Sequence, residues 1–241
     1  MQISCVCSGR LDRLRVQGWG LTRFVEGYDM NYFELINKCL VELNYKQVFT
    51  FSELTKNEHL KLKNIINMLN TEICNSEKWN FLLRKTEFKI KKNASEIQNP
   101  IKGKIALFRI DGKKYEYFDD FEKFFINAQP PYTYTTFNDK LLLPAFEEEK
   151  AAEIVYYTSN YAASSDGVEK TLLEAETDSS VIPEIFAEPV LVYGACMRLK
   201  GNPQHIRFSY WLSMYKDALA NLRSRYGVDA NASPDIVLHR K

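Results

Sequence analysis

Long apolar runs are absent from this 241-residue chain. No stretch approaches the roughly 18–20 consecutive apolar residues that a membrane-spanning helix needs, so no membrane partner is expected. Net charge is nearly absent too: 32 Lys+Arg face 31 Asp+Glu. That balance excludes a generally basic nucleic-acid binder, though not a local patch. The five cysteines are an odd set, and Cys39, Cys74 and Cys196 fall in segments with helical spacing. They read as small buried hydrophobes of a reducing compartment. Cys5 and Cys7 form a close pair, but His59, His205 and His239 are scattered, so no zinc set is assembled. There is no phosphate-binding glycine loop, no H-E-x-x-H and no G-x-S-x-G. No catalytic, cofactor-binding or metal residue is therefore assigned, and the chain is expected not to be an enzyme.

What is present is the composition of an ordinary globular chain, long enough for one large domain or two smaller ones. Lysine usage marks a seam. Residues 1–29 hold four arginines and no lysine, whereas the other 212 hold 21 lysines. The leader lacks the apolar core of a secretory signal. It is read as an irregular upstream extension, with Met30 the natural start; the alternative is a short basic arm.

Helical spacing begins at once after Met30. Leu35, Ile36, Leu40 and Leu43 lie on one face of a helix over 31–43, which Asp29 or Asn31 would cap. Val48, Phe49 and Phe51 are expected to tuck under the next helix. Thr55 and Glu58 have the capping-box spacing, and Leu62, Ile65, Ile66, Leu69 and Ile73 give the stripe of a rod over 57–79.

The period then changes from about 3.6 to two. Phe88 and Ile90 alternate with Glu87, Lys89 and Lys91. The run 105–110, the Asp111-Gly112 turn and 113–118 predict a hairpin, and 133–137 with 140–143 another, joined by Asn138-Asp139. Residues 152–159 read as a further strand, although 147–157 is open to a helix. An irregular acidic loop follows over 162–180. Helices return over 184–200, with Pro189 at the first turn or a kink, and over 204–226, capped by Asn202-Pro203 and carrying Phe208, Trp211, Tyr215, Leu219 and Leu222. The expected fold class is α+β. The N- and C-terminal helices form an antiparallel bundle, and the β-rich insert is a small sandwich or barrel. The divisions are 1–29, 30–84, 85–160, 161–227 and an arm, 228–241. The candidate bundle core is Leu35, Ile36, Leu40, Leu62, Ile66, Leu69, Trp79, Trp211, Tyr215 and Leu219.

Charge is segregated along the chain. Residues 145–190 carry eleven acidic groups and two lysines; 197–241 carry eight basic groups and three acidic. Two opposed patches are expected. Three chemical leads stand out. Glu87 and Lys89 on one strand have the spacing of a metal-dependent nuclease, which needs a second carboxylate on a neighbouring strand. Asp166-Gly167-Val168-Glu169 has the look of a calcium turn without its regular ligand spacing. Tyr132, Tyr134, Tyr156, Tyr157 and Tyr161 offer either a stacking platform or cross-strand packing.

Several segments carry a resemblance. Residues 30–43, MNYFELINKCLVEL, resemble the opening helix of head–tail adaptor proteins of tailed bacteriophages, and Lys78-Trp79-Asn80-Phe81 resembles the end of the long second helix. Residues 154–157 look like the strand before that family's acidic loop. Residues 177–184, TDSSVIPE, resemble its lead into a helix, and 193–200, YGACMRLK, the helix itself. The likeness spans about 30–226, and the insert over 85–145 departs from the smallest members.

The resemblance implies a structural virion protein, similar to the tubular tail protein of short-tailed phages. Assembled in the host cytoplasm, it would form a homo-oligomeric ring, twelve-fold in the family, beneath the portal protein. The ring would extend the DNA channel, touch packaged DNA non-specifically and dock tail nozzle or tail tube proteins. The arm, with Val228, Asp235, Ile236, Val237, Leu238, Arg240 and Lys241, is the candidate portal contact. Another neck component, such as a stopper or tail-completion protein, is the alternative; the nuclease is the third reading.

Overall fold

The hydrophobic period switches near Trp79 and again near Tyr161, and the chain folds around two cores accordingly. The computed structural model describes residues 30–228. The leader 1–29, with Cys5 and Cys7, and the arm residues Asp235, Ile236, Val237, Leu238, Arg240 and Lys241 lie outside the described residues.

In chain order the elements are α1 (Tyr32–Glu42), α2 (Asn57–Ser76), β1 (Leu83–Ile90), β2 (Glu96–Gln98), β3 (Gly103–Ile110), β4 (Lys113–Tyr117), the single turn α3 (Glu122–Phe125), β5 (Thr133–Phe137), β6 (Lys140–Leu142) and β7 (Lys150–Thr158). They continue with β8 (Ala162–Ala163), β9 (Glu169–Lys170), β10 (Ser179–Ser180), α4 (Glu184–Glu188), α5 (Gly194–Lys200) and α6 (Phe208–Tyr226). A π-helical turn, Pro189–Tyr193, joins α4 to α5. Proline has no N–H to leave unpaired there, so the widened turn loses no donor.

The antiparallel bundle with a β insert is not the architecture. The chain is a mixed α+β fold whose largest element is a curled seven-stranded sheet, ordered β1-β7-β3-β4-β5-β6-β2. The reason lies in β7. It pairs with β1 along eight residues, Leu83↔Tyr157 to Ile90↔Lys150, and with β3 on its other edge. Segments that read as separate hairpins thus join one sheet with a core of its own. Residues 147–157 are not a helix. Neither is 162–180 wholly irregular, because β8 holds β9 and β10 in a second, three-stranded sheet.

The sheet's inner face is apolar. Phe108, Ile110, Ala152 and Ile154 are buried there with Ile90, Tyr115, Tyr134 and Leu141. Both hairpin turns use left-handed residues: Asp111 (φ 48°) with Gly112 (φ 76°), and Asn138 (φ 47°) with Asp139 (φ 59°). Positive φ at both central positions suits the twist of paired strands. Among the described residues only β4 and β5 run parallel.

The larger core gathers the helices and the 161–182 segment. Leu35, Ile36, Leu40, Leu62, Ile66, Leu69, Trp79 and Trp211 are fully buried in it, while Tyr215 and Leu219 are partly buried against it. Asn31 caps α1 in a capping box: its side chain accepts from the Glu34 N–H at 2.9 Å, and Glu34 accepts from the Asn31 N–H at 3.0 Å. The box expected at Thr55 does not form. α2 starts beside Lys56 with no side-chain cap, and the Thr55 hydroxyl lies 3.5 Å from the Glu53 carbonyl instead. Phe51 packs against Tyr32 and Phe33, but Phe49 does not tuck in and stands exposed. The last helix begins at Phe208 rather than 204, since Asn202 caps only a turn through the Gln204 N–H.

Candidate interaction surfaces

Three segments that carry the adaptor resemblance meet at one place. The Tyr32 N–H donates to the Asp178 carbonyl at 2.7 Å, and Asn31 bridges Ser179. Ser180 donates to Asn70 of α2 at 2.7 Å, and Asn70 donates to the Tyr161 carbonyl at 2.8 Å. Two turns further along α1, the Cys196 thiol approaches the Cys39 carbonyl at 3.7 Å, and the Cys39 thiol approaches the Val192 carbonyl at 3.9 Å. These are buried thiols at helix contacts, and Cys39 and Cys74 are both pushed well above the ordinary thiol range; for Cys74 burial is the cause. For Cys39 the contact with Cys196 comes first and burial second. Gly194 lets α5 approach its neighbours closely, because a Cβ there would lie 3.1 Å from Leu69 and from the Tyr215 ring.

Asp178 organises the acidic loop from within. Its side chain is fully buried, and Oδ1 accepts from Lys170 at 2.8 Å. Oδ2 accepts from the Glu174 and Ala175 N–H groups, each at 2.8 Å. Burial alone would raise this carboxyl. The Lys170 and backbone hydrogen bonds outweigh it and hold the group below the usual carboxylate range. The sequence held no signal for this residue beyond its place in the TDSSVIPE segment.

A second surface was missed altogether. Phe121 and Phe125 of the α3 turn cluster with Phe137 at the end of β5: Phe121 stacks on Phe137 at 5.2 Å and Phe125 meets its edge at 5.7 Å. All three are exposed, and the adjoining Ile126 is 71% exposed. The signal was there in Phe118, Phe121, Phe124 and Phe125, a three-and-four spacing around one turn in which only Phe124 turns inward. The patch lies on β5, four strands from β1, whose start adjoins the helices through Trp79 and Leu82. A grouped aromatic surface of this kind is a candidate contact site.

The other leads resolve as follows. Glu153 of β7 lies directly across from Glu87, the second carboxylate that a nuclease would require. Yet Lys85 Nζ bridges the two at 2.8 and 3.0 Å, filling the position between them. Lys89 is drawn away to Glu149 at 2.8 Å, and Arg109 adds to Glu153 at 3.7 Å. The result is a charge ladder on the sheet's outer face. Among the described residues no cluster of three or more metal-ligating side chains occurs. In the calcium-like turn, Glu169 is engaged by Arg84 at 2.5 Å and by the Thr158 hydroxyl at 3.2 Å, and Gly167 closes a turn onto Ser164. The five tyrosines do not form one platform. Tyr134 packs edge-on to Phe108 in the sheet core at 5.0 Å, while Tyr161 belongs to the helical core and donates to Asn75 at 2.5 Å.

Several groups of the two opposed charge stretches form ion pairs. In the acidic one, Glu149, Glu153, Glu169, Asp178 and Glu188 each hold a cation. In the basic one, Arg198, Arg207 and Arg223 pair with Glu72, Glu42 and Glu77 of the first two helices. At the arm's root, Gly227 bridges Trp79 and the Val228 N–H donates to the Lys78 carbonyl at 2.9 Å. No helix among the described residues is long and apolar enough to cross a membrane. No protein-family model matches the chain, and no curated protein matches it either.

Proposed function

We propose that the chain is a structural subunit of a phage head–tail connector. Copies form a ring beneath the portal protein, extend the DNA channel and dock tail nozzle or tail tube proteins. What supports this reading is the joint packing of the segments that carry the resemblance. Residues 30–43, 177–184 and 193–200, far apart in the chain, share one buried core and hydrogen-bond or touch one another. The likeness thus falls on residues that act as one unit rather than on scattered stretches.

The exposed aromatic patch, Phe121, Phe125 and Phe137, is the surface this reading assigns to a neighbouring subunit or the nozzle. The arm from Val228 onward is assigned to the portal, and contact with DNA through the channel is non-specific and salt-sensitive. No reaction is assigned to the chain. Electron microscopy of the full chain mixed with its portal tests the proposal: added ring density beneath the portal is the expected result. Deleting 228–241 is expected to abolish that density while leaving the isolated protein folded. Normal portal binding by the deletion variant overturns the role of the arm, and no complex with the intact chain overturns the connector reading.

A further inference from the structure

Two apolar features stand open on different parts of the chain. One is the aromatic patch of the sheet, where Phe121, Phe125 and Ile126 of the α3 turn lie beside Phe137. The other is a groove of about 410 Å³ in the helical part. Met214 and Ala218 line its α6 side, Ile185 and Pro189 its α4 side, and Ile185 is 60% exposed. Neither feature fills the other within one copy, since both are open at once.

We propose that the α3 turn of one copy seats its phenylalanines in the α4–α6 groove of a second copy. Spacing is the first argument. The Phe121 and Phe125 ring centres lie 6.4 Å apart. Met214 and Ala218, four residues apart on α6, are separated by about 6 Å along its axis. The two rings therefore match successive turns of the groove.

Charge is the second argument. Residues 119–123 hold three carboxylates and one lysine, whereas α6 holds Lys216, Arg223 and Arg225 against Asp217. Among the described residues Glu122 has no cation, because Lys123 pairs with Asp120 instead, and Arg225 has no carboxylate. The Arg225 guanidinium rests 5.8 Å from the centre of the ring of Phe186, a groove residue. Helical side chains lean toward the N-terminus, which carries this cation toward Asn221 and the seat of the rings. Glu122, next to Phe121 on the same turn, is placed to meet it. Asp217 lies on the flank and holds the Ser213 hydroxyl at 3.4 Å.

Area sets the strength. Phe121, Phe125 and Phe137 are 40%, 54% and 37% exposed. Taking about 200 Å² for each, they leave roughly 260 Å² open, near a third of the ~800 Å² that one partner gives a standard interface. One such contact is weak. It joins two different surfaces, so it is heterologous and repeats from copy to copy, closing a ring where the rotation allows. Closure beneath a portal rests on the connector reading; the contact between two copies does not.

The test is sedimentation velocity of the full chain without portal, from about 10 to 500 µM, the range in which a weak contact populates. The average mass is expected to rise with concentration. Phe121→Ser with Phe125→Ser removes the rings, and Ile185→Glu with Met214→Glu blocks the groove. Each double variant alone is expected to stay monomeric. Their equimolar mixture should give one-to-one dimers and nothing larger, because it holds one intact turn and one intact groove per pair. Arg225→Glu should weaken association about five-fold, and adding Glu122→Arg should restore it. Arg225 and Glu122 are both exposed, and far-UV circular dichroism checks that these variants remain folded. A wild-type chain that stays monomeric throughout, a mixture without dimers, or indifference to the charge reversal each overturn the proposal. Electron microscopy with portal is read separately. Rings on the portal from a chain that fails these tests overturn the contact and leave the connector reading standing; self-association without portal binding does the reverse.

Discussion

Replacing Asp178 with Asn is expected to lower folding stability by about 2–3 kcal/mol at pH 7. The figure comes from three contacts at 2.8 Å: Lys170 on Oδ1, and the Glu174 and Ala175 N–H groups on Oδ2. Hydrogen bonds to a charged group contribute roughly 1.5–3 kcal/mol each, neutral ones about 1. Asn keeps one oxygen for the two N–H donors, which weaken from charged to neutral. It loses the Lys170 pair outright and turns an amide NH2 toward an ammonium. Lys170 is about a third exposed and regains water, which reduces the loss. The measurement is urea unfolding followed by far-UV circular dichroism.

The same variant carries a pH signature. The Asp178 carboxyl is depressed in the folded state, so its contribution is fully present above the unfolded value of about 3.9. It is lost as pH falls through the lower folded value. The stability gap between wild type and Asp178→Asn should be flat from pH 8 to 5 and should narrow below about pH 4. A gap under 0.5 kcal/mol at neutral pH (roughly the scatter of silent surface changes) would refute the reasoning. So would a gap that stays constant on acidification.

Three further outcomes are expected. Gly103→Ala places a Cβ 2.0 Å from the Tyr157 carbonyl oxygen at φ +153°, so it should cost about 3 kcal/mol or more and disturb the β3–β7 pairing, seen as a lower urea midpoint. His59→Leu removes a buried Nδ1 that has no partner among the described residues; stability should hold or rise by about 1 kcal/mol, and a loss beyond 1.5 kcal/mol contradicts that account. Phe121→Ser with Phe125→Ser should leave unfolding unchanged within about 0.5 kcal/mol but reduce ring formation on the portal, and unaltered rings in micrographs would remove the patch from the assembly surface.

The helical stripes and turn signals were legible because they depend on near neighbours. Leu35, Ile36 and Leu40 meet every third or fourth position, and Asp111-Gly112 needs only two left-handed residues. The sheet order was not legible, since nothing near β7 announces that Glu153 faces Glu87 across one edge and Arg109 across the other. Register is set by distant pairing and by the twist of the whole sheet. The ion-pair partners of the basic stretch were hidden for the same reason. Arg198, Arg207 and Arg223 look unpaired in sequence because their carboxylates lie more than a hundred residues upstream. Asp178 belongs to this class too: a fully buried carboxylate inside an acidic, polar stretch reads as solvent-facing until the loop closes over it.

The bond from Val228 to Lys78, together with the Trp79–Gly227 bridge, ties residues about 150 positions apart. It imposes an order of events on a ribosome. Strands β1 to β7 are contiguous and can close as soon as Thr158 emerges. The helices cannot, since α1 and α2 wait for α5 and α6 to bury Leu40, Leu69 and Trp79. Their apolar faces stay open through the synthesis of more than a hundred residues, so chains interrupted before α6 should be the ones that aggregate.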